Sequence, residues 1–127
     1  MLALNLPYPP SVNRYWRQYN GRMIISAAGR EYKRAVAVAA FEQDAFLIRG
    51  AIAVQIAATA PDNRRRDLDN ILKATLDALG GVCYEDDSQI ENLAVFWTRP
   101  RVAPGGGIAV LVWNIDERDR ENEIRIV

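Results

Sequence analysis

Histidine is absent from this chain of 127 residues, and cysteine occurs only once, as Cys83. Without histidine, the chain lacks the commonest general base and metal ligand of proteins. A lone thiol forms no internal disulfide and cannot supply the thiolate clusters that hold structural zinc. Any bound metal ion must therefore be held by oxygen atoms, which favours Mg²⁺, or Mn²⁺ in its place, over zinc or copper.

Long apolar runs are also absent. No run approaches the roughly 20 residues that span a bilayer, and the N-terminus lacks the charged lead and apolar core of a signal peptide. We therefore expect a cytoplasmic protein with no membrane partner.

A net positive charge is missing too, since the formal net charge at pH 7 is +0. This balance argues against a nucleic-acid partner. However, the segment 116–127 is rich in acidic residues and leaves an excess of basic groups in residues 1–115. A cation bound near Asp67, Asp69, Asp86 and Asp87 would neutralise these carboxylates, and the working surface would then be positive.

The length, with 50% hydrophobic and 25% charged residues, is typical of one well-cored domain. We predict that residues 1–115 form a single small domain of the α/β class, of the α+β type, with two main helices packed on a mixed β-sheet. Residues 116–127 are predicted to be a charged tail, either helical or disordered. Periodicity and turn residues predict strands at 1–7, 51–60, 90–98 and 108–115, a hairpin of 15–19 and 22–25 around Asn20-Gly21, helices at 26–47 and 68–79, and a loop at 99–107.

The helix predicted to begin at Ser26 carries apolar residues on two sides. Its first face is expected to pack on the sheet and comprises Tyr32, Val36, Ala39, Ala40 and Leu47. The opposite side, where a surface helix is normally polar, comprises Ala37, Val38, Phe41 and Ala45. This second face indicates contact with another copy of the chain in a homodimer, with burial under a further strand as the competing interpretation.

The segment 9–17 interleaves arginines with aromatic residues and is predicted to be a loop or an edge strand. Arg14 and Arg17 suit phosphate groups, and Tyr15 and Trp16 offer rings on which exposed bases stack. The alternative is that the two rings cover the core. Arg14 and Arg17 are therefore candidate DNA-binding residues, and the role of the rings stays open between the two interpretations.

Three consecutive arginines, Arg64, Arg65 and Arg66, precede the helix predicted from Leu68. Cations at a helix N-terminus oppose the helix dipole and repel one another, so the arrangement is destabilising unless an anion is bound. We therefore predict that these arginines hold phosphate groups.

Carboxylates follow the arginines at once. Asp67 lies close to the predicted N-cap, and Asp69 and Lys73, one turn apart, point to the same side of the helix. The structural alternative is that Asp67 caps the helix and that Asp69 and Lys73 form an ordinary surface ion pair. Mg²⁺ usually takes one or two protein carboxylates and completes its oxygens with water and phosphate, so Asp67, Asp69 and either Asp87 or Asp86 would provide a site. Lys73 is placed to stabilise a developing oxyanion.

Four groups of residues carry a family resemblance in their order and spacing, over nearly the whole chain up to about Val112. They are Leu6-Pro7-Tyr8-Pro9-Pro10-Ser11-Val12-Asn13-Arg14-Tyr15; Ile25-Ser26-Ala27-Ala28-Gly29 with Tyr32; Pro61-Asp62 with Arg64-Arg65-Arg66-Asp67-Leu68-Asp69-Asn70 and Lys73; and Asp77-Ala78-Leu79 with Asp86-Asp87-Ser88-Gln89. With these groups the sequence resembles the RusA family of Holliday junction resolvases. The departures lie at the tail after Asp116 and at the loop 105–107, and they bear on substrate preference more than on chemistry.

The resemblance implies a small, homodimeric, Mg²⁺-dependent endonuclease with an α/β fold, of a kind common in phages and prophages. It places three metal-binding aspartates at Asp67, Asp69 and Asp87, with Asp86 at an acidic position beside the last ligand. It places a catalytic lysine at Lys73, and at Arg66 an arginine important for junction cleavage. The implied reaction is a pair of symmetric nicks in opposed strands of a four-way junction, leaving 5′-phosphate and 3′-hydroxyl ends.

The sequence therefore predicts a Mg²⁺-dependent, structure-selective DNA endonuclease that resolves four-way junctions in recombination and repair. The predicted catalytic residues are Asp67, Asp69, Lys73 and Asp87, and the predicted DNA-binding residues are Arg14, Arg17, Arg64, Arg65 and Arg66. Two other interpretations stand beside it. One is a non-catalytic module that binds junctions and uses the carboxylates only to cap a helix, and the other is a metal nuclease that acts on other branched DNA.

Overall fold

The computed structural model describes residues 1–117. Its elements follow the order β1 (Leu2–Leu6), α1 (Val12–Tyr15), β2 (Trp16–Tyr19), β3 (Arg22–Ile25), α2 (Ala27–Glu42), β4 (Ile52–Ala60), α3 (Asp69–Leu79), a short 3₁₀ helix (Asp87–Gln89), β5 (Ile90–Val102) and β6 (Gly107–Asn114). The predicted tail 116–127 lies outside the described residues except for its first two positions.

Four strands form one sheet in the order β1, β6, β4, β5, and β2 pairs with β3 in a separate hairpin. Strand β4 pairs antiparallel with β6 and parallel with β5. Because a parallel pair needs a crossover, α3 connects the end of β4 to the start of β5 across the sheet. The mixed sheet of the predicted α/β domain is therefore confirmed.

One face of the sheet and the two long helices enclose the core. Its largest fully buried side chains include Leu4, Ile52, Ile56, Val110 and Val112 from the sheet, with Val36 from α2 and Leu79 from α3. The helix faces that contribute to it follow the predicted 3.6-residue periodicity. No helix in the described range combines the length and apolarity needed to cross a bilayer.

Helix α2 begins as predicted, because the Ser26 side chain accepts a hydrogen bond from the Gly29 N–H at 3.0 Å. Its predicted end near Leu47 is wrong, since the helix stops at Glu42. The Gln43 side chain instead exchanges two hydrogen bonds with the backbone of Asn5, at 2.8 and 2.7 Å. Asp44 then adopts a positive φ of 59°, which no helix continues. As a result, Leu47 is 45% exposed and does not join the sheet-facing stripe.

The second apolar face of α2 is left open by the rest of the described chain. Val38 is 52% exposed and Phe41 is 83% exposed. Ala37 is exposed as well, whereas Ala45 lies beyond the helix and packs partly on the core. The alternative prediction, that a further strand buries this face, is therefore wrong within residues 1–117.

The segment 9–17 begins as a loop and ends in the edge strand β2, as predicted, but residues 12–15 form a helical turn instead. The Ser11 carbonyl accepts hydrogen bonds from the N–H groups of Arg14 and Tyr15 at 3.0 and 2.9 Å, and these bonds close the single helical turn α1. The hairpin predicted around Asn20-Gly21 is confirmed to within one residue, with positive φ values of 49° and 74° at its turn.

The loop predicted at 99–107 is shorter in the structure than the sequence indicated. Strand β5 continues to Val102 and β6 begins at Gly107, so residues 103–106 alone connect them. Pro100 is tolerated in β5 because this strand pairs only with β4, and a proline without an N–H is acceptable at an open sheet edge.

Candidate active site

Helix α3 begins one residue later than predicted, at Asp69, with Leu68 at the N-cap position and no side-chain cap. Asp67 contributes only its backbone carbonyl, which accepts from the Asn70 N–H at 3.1 Å. Within residues 1–117, the carboxylates of Asp67 and Asp69 make no hydrogen bond, and Asp69 forms no ion pair with Lys73. The two structural roles considered for these aspartates, a helix cap and a surface ion pair, are therefore not formed.

Lys73 and Asp87 line the same cavity, which has a volume of about 420 Å³. We call it the Lys73 cavity. Its remaining lining residues are Trp16, Met23, Leu76 and Asp77. The crossover of α3 across the sheet brings the later turns of this helix beside the start of β5, where Asp87 lies. Asp69 lies one turn before Lys73 on the same side of the helix, about 6 Å away along the axis.

Asp86 and Asp87 differ in their surroundings. The Asp86 carboxylate caps the 3₁₀ helix, since it accepts from the Ser88 hydroxyl and from the Ser88 N–H at 3.0 Å. These bonds, the hydroxyl first, hold the pKa of Asp86 below its usual range. Asp87 instead faces Tyr84, whose pKa is raised by burial and then by the Asp87 charge. The Asp86 carboxylate is therefore committed to capping the 3₁₀ helix, whereas that of Asp87 is not.

The predicted ligands fit magnesium in their chemistry, because Asp67, Asp69 and Asp87 are exposed and offer the hard oxygen donors that this ion prefers. In the part of the chain that the structure describes, however, no three histidine, cysteine, aspartate or glutamate side chains are arranged to hold one metal ion. The donors therefore fit an ion that takes one or two carboxylates and completes its coordination with water and a substrate phosphate. The complete set of three aspartates stays a prediction.

A second cavity, of about 370 Å³, is lined by basic residues. Four of the five predicted DNA-binding arginines meet there, namely Arg14, Arg64, Arg65 and Arg66, together with Tyr8, Pro9, Pro10, Asn70 and Ile71. We call this cavity the arginine cleft. The two cavities share no lining residue, but α3 lines both, with Asn70 and Ile71 in the arginine cleft and Lys73 in the other cavity. Arg17 lies outside it, on β2.

Asp62 organises the arginine cleft, and the sequence interpretation missed this role. Its carboxylate pairs with Arg66 at 2.8 Å and accepts from the Arg64 N–H at 3.0 Å. The Arg66 hydrogen bond is the main cause that lowers the pKa of Asp62, and it raises the pKa of Arg66 in return. Arg66 also lies over the Tyr8 ring, with its guanidinium carbon 5.7 Å from the ring centroid. Residues 61–67 form no helix, so the i,i+4 spacing of Asp62 and Arg66 gave no signal of this pair in the sequence.

The arginines therefore divide into two kinds. The Arg66 side chain is 19% exposed and is held inside the cleft by Asp62, whereas that of Arg64 is 85% exposed. Arg65 is exposed and makes no hydrogen bond, ion pair or ring contact within residues 1–117. Arg64 and Arg65 are the cations most available to an incoming phosphate.

Tyr15 and Trp16, the two aromatic residues after Arg14, lie in different surroundings. Tyr15 is 0% exposed, which confirms the core interpretation for this residue. Its hydroxyl donates to the Asp77 carboxylate, and Lys33 lies 3.7 Å from the same carboxylate. Trp16 contacts the Tyr15 ring edge-on, with 5.0 Å between centroids, and faces the Lys73 cavity.

Comparison with known proteins places this geometry in a family. The family model for endodeoxyribonuclease RusA matches residues 7–109. The chain is 37% identical over 114 residues to the crossover junction endodeoxyribonuclease of Enterobacteria phage HK97, covering 87% of this chain and 92% of the relative. The relative of the same name from Escherichia coli strain K12 gives the same identity and coverage. The one from Enterobacteria phage 82 is 38% identical over 119 residues, covering 86% and 91%. The chain belongs to the RusA family of endodeoxyribonucleases.

Proposed function

We propose that this protein is a Mg²⁺-dependent endodeoxyribonuclease that resolves four-way DNA junctions by paired symmetric nicks. The observation that carries the proposal is that α3 lines both the cavity shared by Lys73 and Asp87 and the cleft that contains four arginines. The names of the related proteins, crossover junction endodeoxyribonucleases, support this substrate. Their sources, Escherichia coli and enterobacteria phages, support action in the cytoplasm of a bacterial host.

The arginines position the DNA. Arg64 and Arg65 are exposed, and their forked guanidinium groups suit the phosphate oxygens of the backbone. A strand held in the arginine cleft would run along α3 from Asn70 toward Lys73, since this helix lines both cavities. Arg66 keeps the cleft in shape through Asp62 and lies close enough to add its charge.

Lys73 acts on the scissile phosphate. Its ammonium group carries a compact positive charge with several donors, and no described residue pairs with it. It therefore stabilises the negative charge that grows on the phosphate oxygens during hydrolysis. Asp69, Asp67 and Asp87 are the residues that would hold Mg²⁺, which when bound supplies an activated water and neutralises phosphate charge.

A labelled four-way junction incubated with purified protein and Mg²⁺ tests the proposal. We expect nicks at symmetric positions with wild type, and a loss of about 100-fold or more in rate with Asp69→Asn or Asp87→Asn. Asp44→Asn is the matched control, because it removes one exposed carboxylate outside the site at a positive φ that asparagine tolerates. Equal nicking by wild type and Asp69→Asn would falsify the assigned site.

A panel of branched substrates tests the choice of DNA. We expect the four-way junction to be cut faster than a three-way junction, a flap or a linear duplex of matched sequence. Equal rates on all of them would leave the nuclease chemistry standing and remove the assignment to four-way junctions.

We also propose that the protein acts as a homodimer, because symmetric nicks in a four-way junction require two equivalent sites. The exposed apolar surface of α2, with Val38 and Phe41, supports a second copy as the covering partner. Sedimentation should show a dimer for wild type and a monomer for Phe41→Glu. A dimer that persists in this variant would place the contact on another surface.

A further inference from the structure

The β2–β3 hairpin stands apart from the sheet, since its two strands pair only with each other. Its root is fixed. The Tyr15 carbonyl accepts hydrogen bonds from the Ser26 N–H and the Ser26 hydroxyl, each at 2.9 Å. Gly29 packs so closely on this carbonyl that an added Cβ would lie 2.5 Å from it. The hairpin is therefore a separate two-stranded element that is held firmly at its base.

The pairing register gives the hairpin two different faces. Trp16 lies opposite Ile25, and Met23 lies opposite Gln18, so Trp16 and Met23 share one face. Both residues line the cavity that holds Lys73 and Asp87. This cavity face is mainly apolar, and Met23 is 60% exposed on it.

The opposite face is basic. Arg17, Tyr19 and Arg22 share it, because Tyr19 is paired with Arg22 and Arg17 is two residues before Tyr19. The guanidinium carbon of Arg17 lies 5.4 Å from the centroid of the Tyr19 ring. Residues 11–25 contain arginines but no aspartate or glutamate, in a chain whose net charge is +0. The charge on this face therefore suits a DNA backbone.

We infer that the β2–β3 hairpin inserts between two arms of the branched DNA. Its apolar face contacts the base beside the scissile phosphate, and its basic face contacts the backbone of the neighbouring arm. This inference rests on the proposed function and adds the element that distinguishes a branch from a duplex. A linear duplex offers a backbone to one face only, whereas a branch point offers a second arm to Arg17 and Arg22. Apolar side chains against unstacked bases, together with cations on phosphates, are the usual means by which proteins hold distorted DNA.

The basic face is tested by the double variant Arg17→Gln/Arg22→Gln. Binding is measured without Mg²⁺ on a four-way junction and on a linear duplex with the sequence of one arm. We expect junction affinity to fall about tenfold, the order expected for two lost phosphate contacts, with less than a twofold change for the duplex. Arg34→Gln/Arg49→Gln removes the same charge from α2 and from the segment before β4, and should leave the ratio of the two affinities unchanged. Equal losses on both substrates, or no loss, would overturn the inference.

The apolar face is tested by Met23→Ser in the junction cleavage assay. We expect kcat to fall about tenfold with KM within twofold, because the base beside the reacting phosphate loses its support. Met23→Leu should restore the rate. Met23 is exposed, so folding is expected to survive, and an unchanged thermal midpoint verifies it. A rate unaffected by Met23→Ser would contradict the role given to this face.

The failure of this inference is separable from failure of the proposed function. If wild type does not nick the junction with Mg²⁺, the proposed function fails. If wild type nicks it while the hairpin variants keep wild-type selectivity and rate, the nuclease assignment stands and the hairpin has no role at the branch.

Discussion

The Tyr15 hydroxyl donates a hydrogen bond to the Asp77 carboxylate, which lies 62 residues later in the chain. Tyr15 ends α1 at the root of the β2–β3 hairpin, and Asp77 lies on α3 between Lys73 and the end of the helix. The bond therefore ties the hairpin to the helix that carries Lys73. Burial and then this bond raise the pKa of Tyr15 well above its usual range, so the phenol stays protonated and keeps donating.

Tyr15→Phe is expected to lower the free energy of unfolding by about 1.5–3 kcal/mol, since the lost hydrogen bond involves a charged acceptor. Urea titration measures this change. A double-mutant cycle with Asp77→Ala isolates the pair, because either single variant removes the hydrogen bond. Additive losses in the double variant would show that the two residues act independently, against the geometry.

Gly29→Ala is expected to destabilise the protein by about 1–2 kcal/mol, although alanine normally favours a helix. The added Cβ would lie 2.5 Å from the Tyr15 carbonyl oxygen and 2.7 Å from the Ile25 Cγ2. A backbone atom cannot move away easily, so the clash outweighs the gain in helix propensity. Thermal unfolding measures the difference. Gly80→Ala is the control, because its nearest neighbour would be 3.7 Å away and its stability should change little.

Several elements of this fold could be predicted from local sequence, because local sequence decides them. Alternating apolar residues specify β1, an Asn-Gly pair specifies the hairpin turn, and a serine specifies the start of α2. The end of α2 could not be predicted, because it depends on the bonds between Gln43 and Asn5, two residues far apart in the chain.

The candidate site likewise has features that local sequence determines and features that depend on residues far apart in the chain. The spacing of Asp69 and Lys73 fixes them on one side of a helix, and the structure adds Asp87 to the Lys73 cavity through the crossover. The ion pair between Arg66 and Asp62 depends on the path of the loop after β4. No periodicity in the sequence determines that path. The register that places Met23 on the cavity face likewise becomes visible only once the hairpin is placed against α3.

Arg65 and Arg66 are expected to fail in different ways when each is changed to glutamine. Arg65→Gln removes an exposed cation, so the slope of log affinity against log salt should become shallower by about 0.9, with no change in the free energy of unfolding. Arg66→Gln breaks the 2.8 Å pair with Asp62 and should lower the stability of the cleft. DNA binding at several salt concentrations, together with urea titration, measures both. Identical behaviour of the two variants would refute the division of the arginines into two kinds.

Cys83 is expected to resist alkylation in the folded protein. Its side chain is 0% exposed, and burial raises the pKa of the thiol to about 12, so almost no thiolate forms at neutral pH. Iodoacetamide at pH 8 should leave the native protein unlabelled and add one group per chain in guanidinium chloride, as mass spectrometry would show. Rapid labelling without denaturant would mean that the segment between α3 and the 3₁₀ helix opens readily.

Mg²⁺ is expected to raise the thermal midpoint of the protein in the absence of DNA. A ligand that binds only the folded state stabilises it by about 2.7 kcal/mol at a concentration 100 times its Kd. For a domain of this size that corresponds to roughly 5–15 °C in the midpoint. Asp69→Asn and Asp87→Asn should each reduce the shift, whereas Asp44→Asn should retain it, since Asp44 lies two residues after the end of α2 and lines neither cavity. A module that only binds junctions would show no shift with wild type, so a flat midpoint across Mg²⁺ concentrations would favour that interpretation over the nuclease.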